Sequence, residues 1–254
     1  MSAVRRIALA LLAFAALTAQ RDPVLVPEVS QHEVQVRQGF TGTQLLLYGA
    51  ILDPQGNRAR EPYDIVVVLK GPTQSILLRE KAKAMGMWVN AGSMAYRSAP
   101  SFFAVASSRP VDRIVDEKTA AIYELGLDYL QLSPSGAIDP VEQARFTAGL
   151  VDLRQRQRLY QESPHGVSIS GGVLYQARIA LPSNVVTGAY TAETFAIQRG
   201  RVIASAIAEV EVRKTGFEKL VADRAEDSAM TYGLIVVGLS LLMGWMAGRL
   251  FALI

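Results

Sequence analysis

From Tyr232 to Gly248 the chain reads YGLIVVGLSLLMGWMAG without a charge, and Arg249 alone interrupts before Leu250–Ile254. A helix needs roughly 20 predominantly apolar residues to cross a hydrocarbon layer of about 30 Å. Residues 232–254 therefore predict one transmembrane helix. Arg249 lies near the end of the span, where a long basic side chain extends its head to the headgroups. Tyr232 suits the opposite interface.

A second apolar run, Ile7–Leu17, follows Arg5 and Arg6 and precedes the small residues Thr18 and Ala19. It is too short to span, and a basic start, short apolar core and small-residue end make a secretory signal. Residues 1–19 are expected to be that signal, with residues 20–214 exported. The basic residues flanking the C-terminal span point the other way: Lys214, Lys219 and Arg224 precede it, and Arg249 follows. The signal decides the orientation, because it commits the chain to translocation before the last helix is made. The expected address is a bacterial inner membrane, with a single pass, a periplasmic domain and a cytoplasmic C-terminus.

Composition narrows the chemistry. There is no cysteine, which excludes disulfides, thiol catalysis and cysteine-ligated metals. The net charge of +3 is mild and its basic residues are scattered, so nucleic acid is not an expected partner. About 200 exported residues suit one large domain or two small ones.

Three zones separate by periodicity. Val24–Ser108 reads as strands: His32–Arg37, Gln44–Leu52, Tyr63–Lys70, Ser75–Lys83, Met87–Ala91 and Ser101–Ala106, with a turn at Asp53–Asn57. About 110–162 turns helical, with one helix over Thr119–Leu130. A second is opened by Asp139-Pro-Val-Glu142 and runs to about Gln161. Arg154, Arg156 and Arg158 spread around that helix and read as a solvated surface. Val167–Lys214 returns to strands, with Arg199-Gly200-Arg201 as a tight hairpin. The expected fold is mainly β: an immunoglobulin-like sandwich with a helical insertion, then a juxtamembrane helix over 215–231 leading into the span. Two separate small β domains are the alternative.

No catalytic set can be assembled, and no catalytic, cofactor or metal residues are assigned. His32 and His165 lie in different zones, and the glycine-rich pieces Gly39–Gly42 and Gly171-Gly172 match no phosphate or dinucleotide loop. Met85, Met87 and Met94 could offer thioethers to Cu(I), but methionines more often fill a core. Trp88, Asn90 and Arg109 are candidates for a partner surface. Ser240, Gly244 and Gly248 lie four apart and form a small-residue groove where another membrane helix can approach closely.

Several segments together resemble a family of alphaproteobacterial transmembrane proteins. They are Ser30–Val36, Gly39–Thr43, Leu46–Ala50, Trp88-Val-Asn90, Pro100–Pro110 and Lys214–Glu218. The resemblance implies no catalytic residues. Members occur beside sulfite-exporter-type permeases, which implies by association an accessory role at a transporter. The leading expectation is a non-enzymatic membrane-anchored periplasmic accessory or scaffold protein that contacts another integral membrane protein or a second copy of itself. A tethered periplasmic ligand- or metal-binding module is the alternative.

Overall fold

Ile65-Val-Val-Val-Leu69 is buried at every position, on both faces. Such a run of β-branched residues forms a strand covered on both sides, and it is the centre of the molecule. The computed structural model describes residues 23–36, 41–52, 62–136, 139–214 and 229–251. The expected signal (1–19), the turn at Asp53–Asn57, most of the expected juxtamembrane helix and the last three residues of the expected span lie outside the described residues.

Thirteen strands are described: β1 Val24–Val29, β2 Glu33–Val36, β3 Gly42–Leu52, β4 Asp64–Lys70, β5 Thr73–Ala84, β6 Met87–Pro100, β7 Phe103–Ser107, β8 Ser133–Pro134, β9 Tyr160–Pro164, β10 Val167–Ser170, β11 Leu174–Pro182, β12 Gly188–Gln198 and β13 Arg201–Lys214. The chain is mainly β. One sheet has the order β1-β3-β11-β10 and a second β2-β13-β12-β4-β7-β9. Strands from before and after the helical zone pair within both sheets, and the two sheets share one core cluster. Neighbours are antiparallel except β2 with β13 and β7 with β9, which run parallel.

The two sheets bury alternate residues against each other. Leu45, Leu47 and Ile51 of β3 and Tyr175, Ala177, Ile179 and Leu181 of β11 share one core cluster with Val34, Val66, Val68, Tyr190 and Val212. Gly49, in the same row as Leu47 and Ile51, must be glycine: a Cβ there would stand 2.2 Å from the Val26 carbonyl oxygen. At the turn from β11 into β12, the Tyr190 hydroxyl donates to the carbonyl of Val186 at 2.7 Å. This bond clamps the corner. Arg199 and Gly200, at φ 51° and 76°, make the β12–β13 turn, as the sequence predicts.

The helical zone covers the outer face of the larger sheet. Val111, Ile114, Val115, Ala120, Leu125 and Leu127 join the cluster that holds β4, and the Tyr123 ring lies 5.3 Å from that of Phe195 on β12. Lys70 at the end of β4 is pinned by Glu124 at 2.7 Å and Glu193 at 3.6 Å. The helix predicted over Thr119–Leu130 is shorter, α1 Glu117–Tyr123. Asp116 caps its start by accepting from the Thr119 amide, and Glu124 ends it in the left-handed conformation. The chain then dips to bury Leu125 and Leu127. The second helix, α2 Pro140–Arg156, starts at the predicted Asp139 cap but stops short of Gln161. Arg158 turns left-handed at φ 58°, and Tyr160 leaves in β9 beside β7. Burial of Leu159 and Tyr160, 3 % and 1 % exposed, outweighs the helix propensity of this segment.

The two short strands predicted at Ser75–Lys83 and Met87–Ala91 are instead one long hairpin, β5–β6, outside both main sheets. Gly92, which reads as a break, follows a register shift at Glu80/Lys81, and a Cβ there would lie 3.3 Å from the Phe146 ring. Met94, Tyr96 and Ala99 of β6 form a small second core with Phe146 and Leu150 of α2. The Tyr96 hydroxyl also lies 3.1 Å from that of Thr147, and Arg145 bonds Glu80 at 3.0 Å. α2 thus braces the base of the hairpin. The last described element is α3, Ala229–Phe251, a helix of 23 residues.

Candidate functional site

The far half of the hairpin is the most exposed part of the sandwich domain. Met85 and Gly86, at φ 48° and 80°, form its two-residue turn, and every residue from Lys81 to Ala91 is exposed. Opposite pairs share a face of a hairpin. Lys83 opposes Trp88 and Lys81 opposes Asn90, while Ala84 opposes Met87 and Ala82 opposes Val89. One face is therefore tryptophan, asparagine and two lysines, and the other is apolar. Trp88 and Met87 are each 67 % exposed.

The candidate partner residues do not form one surface. Trp88 and Asn90 share the hairpin face, but Arg109 sits at the opposite end of β4 from the hairpin. There it grips Asp64 with two hydrogen bonds, Nε to Oδ1 at 2.8 Å and NH2 to Oδ2. That fork, with help from the Ser108 hydroxyl, holds the Asp64 carboxyl below its usual value. Arg109 organises the start of β4, a whole strand of about 20 Å from the base of the hairpin.

The methionines separate too. Met85 is in the turn rather than on a strand face with Met87, and Met94 is buried against α2. Met94 therefore stands apart from the two methionines at the turn. His32 lies 3.1 Å from Glu28 on an exposed stretch, and His165 occupies the β9–β10 turn at φ 68°. Among the described residues no group of three or more His, Cys, Asp or Glu side chains is placed to hold a metal ion.

Two of the surface concavities combine features that bear on binding. The outer face of the smaller sheet carries an open groove of about 580 Å³ lined by Val26, Tyr48, Ala50 and Leu174. Val26 and Leu174 both pair with Ala50, and Tyr48 stands beside them between Glu28 and Gln176. More than half of the Val26 and Leu174 surfaces face solvent. The signal was present in the sequence as apolar residues at strand positions of both parities, an excess for a strand with one buried face. The second, of about 510 Å³, lies between the insertion and β9, with Asp112, Asp116, Glu117, Asp128 and Glu162 around Tyr129. Burial and the Asp128 carboxylate push the Glu162 carboxyl above its ordinary value, and burial with Glu117 and Asp128 raises the Tyr129 phenol. These acids come from the start of α1, the turns on either side of it and strand β9, so no local motif announces the cleft.

α3 presents apolar side chains to solvent along its length: Leu234, Val236, Val237, Leu239, Leu241, Leu242, Met243, Trp245 and Met246 are all exposed. Arg249 stands over the Trp245 ring at 5.9 Å. Ser240, Gly244 and Gly248 lie on one stripe. Nothing stands within 4 Å of a Cβ built at either glycine, and the Ser240 hydroxyl is turned back to the Val236 carbonyl at 2.9 Å. Counted over the described residues alone, no helix is long and apolar enough to cross a membrane.

The family model described as "Putative transmembrane protein (Alph_Pro_TM)" matches residues 24–252. The chain belongs to this family. No match to the chain was found among the curated proteins. The matched region begins at the first residue of β1 and ends one residue past α3. The match thus spans the sandwich, the long hairpin, the insertion and α3 of this chain.

Proposed function

We propose that the protein is a single-pass inner-membrane protein whose exported sandwich, of immunoglobulin type, acts without catalysis as an accessory or scaffold for another integral membrane protein. The observation that carries the reading is α3. Twenty-three residues at about 1.5 Å rise give roughly 34 Å, a length that suits a hydrocarbon layer; its described residues alone fall short of a span in apolar character, and the full run 232–254 of the sequence supplies the rest. Shape and sequence join here, because the stretch Gly233–Gly248 has no charge.

Two features support the immunoglobulin reading. The orders β1-β3-β11-β10 and β2-β13-β12-β4-β7 follow A-B-E-D facing A′-G-F-C-C′, with the first strand divided between the sheets. Tyr190 at the start of β12, bonded to a carbonyl four residues upstream, is in the place of the tyrosine corner of that fold. The orientation, with sandwich outside and C-terminus in the cytoplasm, rests on the N-terminal signal. A sulfite-exporter-type transporter as the partner rests on the sequence resemblance alone.

The contacts assigned to the partner are the Ser240/Gly244/Gly248 stripe and the apolar groove around Tyr48. Purification of the full-length chain from native membranes tests this. The reading expects one stoichiometric integral membrane protein to co-purify, and Gly244→Ile with Gly248→Ile to release it while the sandwich remains folded. Recovery of the chain alone, or a partner indifferent to both isoleucines, contradicts it. A tethered ligand-binding module is the second reading, favoured by the acidic cleft beside Tyr129. It expects a cationic ligand to raise the unfolding temperature of the chain.

A further inference from the structure

The hairpin leaves the sandwich in the direction in which the chain leaves for α3. β4 and β13 both run antiparallel to β12 and so point the same way, and Lys70, Thr191 and Glu209 stand in one row across the three strands. Beyond that row β13 continues to Lys214, about 17 Å at 3.3 Å per residue. Beyond the same row the β4–β7 pair passes without interruption into β5–β6. Lys70 pairs with Phe103, Gly71 donates to the Phe102 carbonyl, Ser101 donates to that of Pro72, and Thr73 pairs with Pro100. The twelve residues of β5 add a reach of about 40 Å. The fourteen residues 215–228, at up to about 3.5 Å each, can cover about 50 Å. A bilayer holding α3 is therefore within range of the hairpin tip.

The chemistry of the tip fits such a surface. From Lys81 to Gly92 the sequence KAKAMGMWVNAG has two lysines and no acid, and neither lysine makes an ion pair among the described residues. Met85, the most exposed side chain there, leads, followed by Met87 and Val89, with Trp88 opposite Lys83 just behind. Tryptophan settles at the headgroup level. Lysines near an anionic leaflet are drawn to its surface. α2 holds the base of the hairpin through Phe146, Leu150 and Arg145, so the tip is carried on a braced arm.

We infer that the Met85–Val89 tip of the β5–β6 hairpin inserts into the anionic headgroup layer of the membrane that anchors the chain, with Lys81 and Lys83 on lipid phosphates. This rests on α3 being a membrane anchor, and the test separates the two. The chain has two tryptophans, Trp88 and Trp245, both exposed, so Trp245→Phe leaves Trp88 as the sole reporter and Trp88→Phe leaves Trp245. Each full-length variant is reconstituted, with no other protein, into bilayers of phosphatidylethanolamine and phosphatidylglycerol or of phosphatidylcholine alone. Quenching by chain-brominated lipid is then compared with quenching by aqueous iodide. The expected result is Trp88 quenched by brominated lipid and shielded from iodide in the phosphatidylglycerol bilayer, and the reverse in phosphatidylcholine and in Lys81→Glu/Lys83→Glu. Trp88 open to iodide in both bilayers, while Trp245 is quenched by lipid, overturns the insertion and leaves a protein as the occupant of the tip. Trp88 equally lipid-quenched in both bilayers overturns the role of anionic headgroups. Trp245 open to iodide overturns the anchor itself.

Discussion

Removing one oxygen at Tyr190 measures the corner that holds the two sheets in register. The side chain is 1 % exposed, its hydroxyl donates to the Val186 carbonyl at 2.7 Å, and its ring lies 5.9 Å from that of Phe102. Burial pushes the phenol up to about 12, so it is a neutral donor at any working pH. Tyr190→Phe keeps the ring and its packing and loses one hydrogen bond, a net cost of about 1 kcal/mol. Val186 is 38 % exposed, so water can solvate the freed carbonyl and the cost stays near that figure. For a domain of this size that lowers the melting temperature by about 2–4 °C. Tyr190→Ala also empties the ring's site and costs about 3–5 kcal/mol. Thermal unfolding of the detergent-solubilised chain, followed by far-ultraviolet circular dichroism, reads both. No shift in Tyr190→Phe would refute the stabilising corner bond. A shift as large as that of Tyr190→Ala would refute the assumption that packing survives.

Asp64 has a folded-state pKa below the ordinary value because Arg109 grips it. The stability it supplies is complete at neutral pH and lost as pH falls through that lowered value, so Asp64→Asn melts earlier at pH 7 and converges with wild type in strong acid. Arg109 is half exposed, which keeps the effect within about 1 kcal/mol. Glu162 is the opposite case: its raised pKa means the folded state loses stability as pH climbs from the ordinary carboxyl value through the raised one. Glu162→Gln should melt later than wild type at pH 7 and match it below the ordinary carboxyl range. Phe146→Ala removes a ring from the small core under the hairpin, a cost of about 3–5 kcal/mol. Hydrogen exchange should speed up in β5 and β6 but not in β4, and equal acceleration in both would show that α2 does not brace the hairpin locally.

The strands of the sandwich were legible because their signals are local. Five successive buried apolar residues mark β4, and Arg199-Gly200 marks the last hairpin. The ends of the helices were not legible. Glu124 and Arg158 adopt left-handed conformations that their residue types do not announce, and tertiary burial of Leu125 and of Leu159–Tyr160 decides where α1 and α2 stop. The length of the β5–β6 hairpin was hidden by Ala91-Gly92, which reads as a break and is tolerated because α2 packs over it. Of the candidate surface, Trp88 and Asn90 stand on one exposed face as a strand assignment implies. Arg109 is tied to Asp64 forty-five positions earlier, a partner no spacing rule could supply. The acidic cleft joins residues 112–128 to Glu162 of β9 and is visible only once the insertion folds over β9.

A single membrane crossing by α3, with the sandwich outside the cytoplasm, is directly measurable because the chain has no cysteine. Ser205→Cys on the exposed face of β13 and a cysteine appended on a short polar tail after Ile254 would each be treated, in intact spheroplasts, with a maleimide that cannot cross membranes. The cysteine at 205 is expected to be labelled at once, the appended cysteine only after the membrane is opened, and both variants to stay with carbonate-washed membranes. Labelling of both positions in intact spheroplasts, labelling of the appended cysteine alone, or release of the chain by carbonate would contradict the crossing.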